Sequence, residues 1–213
     1  MATVHRADRP QESGPPDRGA ERDVIVEAAY RLLTASAGAS VPITAVLAEA
    51  GMSTRAFYRH FDSKDALLLA MFRTDSERVL RELRAAAERA VTAHEALHGW
   101  IRSILHFAAD PRRRSRALVI ASDEVRRAKG YRAEQARYEA GQDAALAEIL
   151  RRGLGDGSLP RARPETDAPL VRAAFTEGFG LVMARPVGAD VGPVADGVLS
   201  FVDRALGAHG ISG

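Results

Sequence analysis

The sequence predicts an all-α protein: an N-terminal three-helix module containing a helix-turn-helix, continuous with a larger helical domain. Three observations carry this. Apolar residues recur at i, i+3, i+4 and i+7 through most segments, no β-alternation is long enough for a strand, and glycine and proline cluster between the periodic stretches. There is no internal repeat.

The first 19 residues include Pro10, Ser13, Gly14, Pro15 and Pro16 with balanced charge and almost no apolar content, which predicts a disordered arm. A helix from about Glu21 to Ala37 follows, striped by Ile25, Ala28, Ala29, Leu32 and Leu33. Gly38 to Pro42 breaks it. Ile43, Val46, Leu47 and Ala50 then put four apolar groups on one helical face, and Gly51 tolerates the positive φ of a sharp turn. Ser53 or Thr54 can cap the next helix, which is only about two turns long. Phe57 and Phe61, four apart, point inward and leave Thr54, Arg55, Tyr58 and Arg59 outward. A long helix starts after Lys64, capped by Asp62 or Ser63 and carrying Leu68, Met71, Phe72, Val79 and Leu83. With no linker before it, the chain divides into an arm at 1–19, a helix-turn-helix domain at 20–64 and a second domain at 65–213.

The clearest periodicity spans Glu95 to Ala109, with Leu97, Trp100, Ile101, Ile104, Leu105 and Ala108, and stops at Asp110 and Pro111. Shorter helical material around Ala117 to Ala128 precedes a helix from Tyr131 to Arg152. Gly153 to Pro164, with three glycines and two prolines, is expected to be a loop. Two last helices are expected at Asp167 to Ala184 and Val194 to Leu206.

Composition narrows the function classes. The chain has 213 residues, and no run of eighteen uncharged apolar residues accompanies its 46% apolar fraction, so no membrane span is expected. The N-terminus lacks a signal-peptide apolar segment, and a cytoplasmic location is the expectation. Without cysteine there is no disulfide, thiolate metal site or cysteine nucleophile. A formal charge of +2 says little about partners, because the first 64 residues hold eight basic and eight acidic side chains. Local placement matters more: Glu49 and Asp62 are the only acids between Ile43 and Lys64. A denser basic run, Arg112 to Arg116, reads first as a solvated helix face, with a phosphate contact or an anionic ligand as the alternative.

The stretch Ile43 to Lys64 resembles the DNA-binding half of the TetR family of transcription regulators. Thr44, Ala50, Gly51, Ser53, Tyr58, His60, Phe61, Ser63 and Lys64 stand at positions of the family pattern. Met52, and Val41 and Pro42 before the first helix, depart from it. The nameable similarity runs from about Glu21 to Phe72, and the rest is alike only in helical pattern and length.

This resemblance implies a major-groove reading helix. Arg55 and Arg59 occupy variable positions expected to select the operator, since a guanidinium can bond guanine O6 and N7 in bidentate fashion. Thr44, Tyr58, His60 and Lys64 match phosphate-contacting positions. Ser53 and Thr54 complete the expected DNA-binding set, together with Phe57, which is more readily core but can brush a thymine methyl.

The family likeness further implies a repressor that acts as a homodimer on double-stranded operator DNA and is released by a small, largely apolar effector. Trp100, Ile104, Phe107, Tyr138, Phe175 and Phe179 are the candidate pocket residues, with plain core packing as their alternative. A dimer interface is expected on the last two helices, from Val171, Ala174, Phe175, Gly178 and Val182 and from Val198, Leu199, Val202 and Leu206. Their stripes fit an intramolecular core equally well. No cofactor, metal or catalytic group is expected.

Two rival readings remain. His94-Glu95-Ala96-Leu97-His98 matches the H-E-x-x-H zinc-protease pattern, which would make the chain a zinc hydrolase. It needs a third protein ligand, and neither His106 nor Glu124 stands at a suitable spacing. Alternatively the chain is a carrier of apolar metabolites and its helix-turn-helix a structural hairpin.

Overall fold

The computed structural model describes residues 18–36 and 39–208, so the arm expected at 1–19 lies, up to residue 17, outside the described residues. Among the described residues there are ten helices and no strand. Helices α1 (Arg18–Ala35), α2 (Ile43–Ala50) and α3 (Thr54–His60) form the N-terminal module. Helix α4 (Lys64–Glu88) leaves it without interruption. The larger domain adds α5 (Ala93–Ala109), α6 (Pro111–Ile120), α7 (Asp123–Arg126), α8 (Tyr131–Asp156), α9 (Pro164–Met183) and α10 (Gly192–Leu206).

Local chemistry explains where these helices begin and end. Gly51 closes α2 at φ 64°, with Gly51 N–H donating to the Ala48 carbonyl at 3.3 Å and Met52 N–H to Leu47 at 2.9 Å. That paired closure needs a left-handed residue, which glycine supplies without a Cβ penalty. Ser53 and Ser63 cap α3 and α4, accepting from the Ala56 and Ala66 amides at 3.2 and 3.1 Å. Thr92 and Glu95 form a reciprocal capping box at the start of α5.

The expected loop from Gly153 is partly helix, because α8 continues to Asp156. Here Gly153 serves packing rather than chain reversal: a Cβ there would lie 2.6 Å from Leu159 Cδ1. The next helix starts three residues earlier than expected, since Pro164 sits in its first turn, where the missing N–H costs nothing.

Two apolar cores form, and α4 contributes to both. Ile25, Leu33, Leu47, Phe57 and Phe61 pack with Leu67, Leu68, Met71 and Phe72 and with Val119 and Val125 from α6 and α7. Leu83 and Ala87, further along α4, belong instead to the core of α5, α8, α9 and α10. A displacement of α4 relative to the second core therefore carries the N-terminal module with it.

Candidate nucleic-acid interface and ligand cavity

Helix α3 buries Ala56 and Phe57 and turns the opposite side outward. Thr44, Ser53, Thr54, Arg55, Tyr58 and Arg59 are all exposed, Tyr58 by 57%. Phe57 is 0% exposed and stacks at 5.5 Å on Phe61, so its ring belongs to the core and cannot meet a thymine methyl. Ser53 spends one lone pair on the cap of α3. Among the described residues Arg55 has no ion-pair partner.

The other basic groups of this face are held by carboxylates that sequence reasoning missed. Glu21 of α1 accepts from Arg59 at 2.8 and 3.1 Å and lies 2.8 Å from His60 Nε2. The His60 hydrogen bond, with Arg59 adding to it, holds the Glu21 carboxyl below the usual carboxylate range. Lys64 is paired with Glu124 of α7 and donates to Ser40 Oγ at 3.1 Å. The anion near its helix start thus comes from within the chain. Phosphate contacts by Arg59, His60 or Lys64 require these internal partners to yield.

Between α4, α5, α6, α8 and α9 lies a cavity of about 280 Å³. Five of the six candidate pocket residues, Ile104, Phe107, Tyr138, Phe175 and Phe179, line it with Phe72, Val79 and Ile120. Trp100 does not. It is 1% exposed within the second core, and its buried indole N–H has no hydrogen-bond partner among the described residues.

The polar points of the cavity are Asp75, Ser76, Arg78, Arg113, Arg116, Gln142 and Thr176. Gln142 donates to the Tyr138 hydroxyl at 3.2 Å, and burial pushes the Tyr138 phenol up to about 12.

Asp75 and Arg116 join the cavity wall to the N-terminal module. Tyr30 of α1 donates to Asp75 Oδ2 at 2.6 Å, and Arg116 and Arg78 donate to Oδ1 at 3.2 and 3.1 Å. Arg116 also bonds Glu27 of α1 and lies over the Tyr30 ring at 4.3 Å. Burial, then the Asp75 charge, pushes the Tyr30 phenol far up, so it stays a donor. The basic run is therefore largely internal. Arg113 pairs with Glu82 and stacks on Phe107, while Arg114 donates to the Val182, Met183 and Arg185 carbonyls at the end of α9. Only Arg112 of the run fits a solvated face.

The residues expected at a dimer interface are mostly core of the protomer. Val171, Phe175, Gly178, Val182, Leu199, Val202 and Leu206 are buried, leaving only Ala174 and Val198 partly exposed. Burial inside one protomer leaves them no surface for a partner. A Cβ on Gly178 would meet Val198 Cγ2 at 2.9 Å, so that glycine serves the α9–α10 contact. The outward face carries Leu170, Leu181 and Phe201, exposed by 59%, 52% and 55%, with Gly180 and Gly197 open to solvent.

With this geometry in place, the comparisons bear directly on the N-terminal module. Residues 25–71 match the model of bacterial regulatory proteins of the tetR family. The N-terminal module thus carries the DNA-binding region of that family. No curated protein matches it significantly. Among solved structures, the fatty acid degradation regulator FadR from Bacillus halodurans is 17% identical with a TM-score of 0.72, over 93% of this chain and 100% of that one. FadR from Bacillus subtilis, in complex with stearoyl-CoA, is 16% identical with a TM-score of 0.71, over 86% and 98%. A TetR-family transcriptional regulator from Streptomyces coelicolor is 19% identical with a TM-score of 0.68, over 88% and 95%. At these identities the likeness shows that the chain shares their fold over most of its length, the larger helical domain included. No helix among the described residues is long and apolar enough to cross a membrane.

Proposed function

We propose that this chain is a homodimeric repressor of the TetR family whose operator is released when a small, largely apolar molecule enters the α4–α9 cavity. The observation that carries this reading is the shared wall: Asp75 and Arg116 line the cavity and also hold Glu27 and Tyr30 of the DNA-reading module. At about 280 Å³ the cavity falls just below the roughly 300–1,000 Å³ range of ligand sites. Its apolar wall fits a compact hydrophobic body, and an acceptor head placed at Arg116 competes there with Glu27. The stearoyl-CoA complex of the Bacillus subtilis relative supports a ligand with an apolar body and an anionic head.

Release requires that the ligand bind the module-displaced form more tightly, because equal affinity for both forms shifts nothing. Continuous α4 then moves α3. Two copies joined through the Leu170, Leu181 and Phe201 face present two reading helices, and such pairs match half-sites about 34 Å apart or a multiple of it. Arg55 is the first candidate for base readout, with Thr44, Ser53, Thr54 and Tyr58 toward phosphates. Arg59, His60 and Lys64 join them once Glu21 and Glu124 let go.

The test is a gel shift on the DNA upstream of the chain's own gene, competed with random duplex and repeated with fatty acids and acyl-CoAs. Selective retardation reversed by one of these probes is the expected result. Retention of probe without any sequence preference for DNA would favour the carrier reading instead.

A further inference from the structure

Two histidines of α5 converge on one carboxylate of α10. His94 and His98, four apart on the same helical face, have ring centroids 4.0 Å from each other. His94 Nε2 lies 3.1 Å from Asp203 Oδ1, and His98 Nε2 lies 2.8 and 3.0 Å from Oδ1 and Oδ2. The three side chains are 23%, 23% and 26% exposed, enough to admit an ion and one water. One ligand atom from each falls within 4.8 Å of the others.

We propose that His94, His98 and Asp203 form a binding site for a divalent transition metal, with Zn²⁺ as the reference ion and water in the fourth position. Tetrahedral Zn²⁺ with bonds of about 2.0–2.1 Å sets its donor atoms about 3.3 Å apart, so the observed separations need only slight opening. Two imidazoles and a carboxylate suit Zn²⁺ and its first-row neighbours better than Mg²⁺ or Ca²⁺, which favour oxygen alone.

The scaffold holds these donors rigidly. Ala93 N–H donates to Asp156 at 2.9 Å and His94 N–H to Ser158 Oγ at 3.2 Å, which fixes the first turn of α5. Arg161 N–H donates to the Leu206 carbonyl at 3.0 Å, anchoring the end of α10.

The site is a clamp rather than a hydrolytic centre. Glu95, the glutamate of the H-E-x-x-H pattern, accepts from the Val91 and Thr92 amides at 3.1 and 3.3 Å and so is committed to the capping box. His106 faces its own helix through the Arg102 carbonyl at 2.7 Å. The third ligand comes instead from 105 residues beyond His98. A bound ion joins α5, which lines the cavity through Ile104 and Phe107, to α10, which presents Phe201 outward.

The experiment uses untagged full-length chain, stripped with a chelator and titrated with Zn²⁺ against a chromophoric competitor, with Co²⁺ as a spectroscopic probe. One equivalent per chain is expected, with the intense visible bands of tetrahedral Co²⁺ and a rise in melting temperature. His98→Ala and the near-isosteric Asp203→Asn are each expected to weaken Zn²⁺ at least about 100-fold, beyond what loss of an outer-sphere partner does. Glu95→Gln is expected to retain the site, and circular dichroism checks that each variant is folded. Wild type binding no more Zn²⁺ than Asp203→Asn would overturn the proposal and leave an ion-paired cluster. Loss of the ion in folded Glu95→Gln would overturn the clamp. Neither outcome involves DNA, so the regulator reading is tested separately.

Discussion

Replacing Tyr30 with phenylalanine removes one oxygen from the junction between the DNA-reading module and the cavity. That hydroxyl donates to Asp75 Oδ2 at 2.6 Å between residues only 4% and 7% exposed. A hydrogen bond to a buried charge contributes about 1.5–3 kcal/mol, and its loss leaves a carboxylate oxygen short of a donor. Arg78 and Arg116 still pair with Asp75, which places the expected loss near 2 kcal/mol on that scale. For a chain of this size the corresponding fall in melting temperature is about 4–8 °C, at fixed protomer concentration. Glu27→Gln is the internal control. Its ion pair with Arg116 joins side chains 51% and 33% exposed, and such a pair is worth about 0.2–1 kcal/mol. Thermal unfolding of the two variants side by side measures the difference. A loss in Tyr30→Phe no larger than that in Glu27→Gln would refute the reasoning that burial makes Asp75 the principal tie.

Three further outcomes follow from the same geometry. Glu21→Gln releases Arg59 and His60, so affinity for random duplex should rise and the salt dependence should steepen by up to about one unit of log–log slope; anisotropy titrations across salt concentrations read both, and unchanged slopes would count against phosphate contact by these groups. Phe201→Glu places a charge on the outward face of α10, and sedimentation should show monomer with the circular dichroism of the parent; a persisting dimer would locate the interface elsewhere. Hydrogen bonds from the Ser158 hydroxyl and from the Ala93 and Ser158 amides hold the Asp156 carboxyl below its ordinary 3.8, so its stabilisation is present above that pH and lost as pH falls through the depressed value. Asp156→Asn should therefore lower the melting temperature at neutral pH, with the gap to wild type closing below pH 3.8; a gap independent of pH would argue against the linkage.

Helices and most of their caps were legible because they depend on neighbours in sequence: Gly51, Ser53 and Ser63 act within four residues of themselves, whereas the Thr92–Glu95 capping box, which starts α5 two residues before the expected Glu95, went unread. The cavity was legible in part. Aromatic spacing singled out Phe107, Tyr138, Phe175 and Phe179, yet the same spacing placed Trp100 with them, because periodicity reports which face is buried and not what faces it. The same limit left the stripe of the last two helices open between dimer interface and core, and Val171, Phe175, Val182, Leu199, Val202 and Leu206 fill the protomer's own core. Asp75 carried a readable signal, an acid on the apolar stripe of Leu68, Phe72 and Val79. Glu21 beneath Arg59 and Asp203 beside His98 carried none, since 38 and 105 residues separate partners that only the tertiary fold brings together.

The most direct test of DNA reading by α3 compares wild type and Arg55→Ala on the upstream operator, on single-base variants of it and on random duplex, all at one salt concentration. Wild type is expected to prefer its operator by at least about 10³-fold. Arg55→Ala should lose about 1–3 kcal/mol of discrimination at one base pair in each half-site and keep its affinity for random duplex. Equal affinity of wild type for operator and random DNA, or an Arg55→Ala loss spread evenly over every sequence, would contradict base readout by this helix.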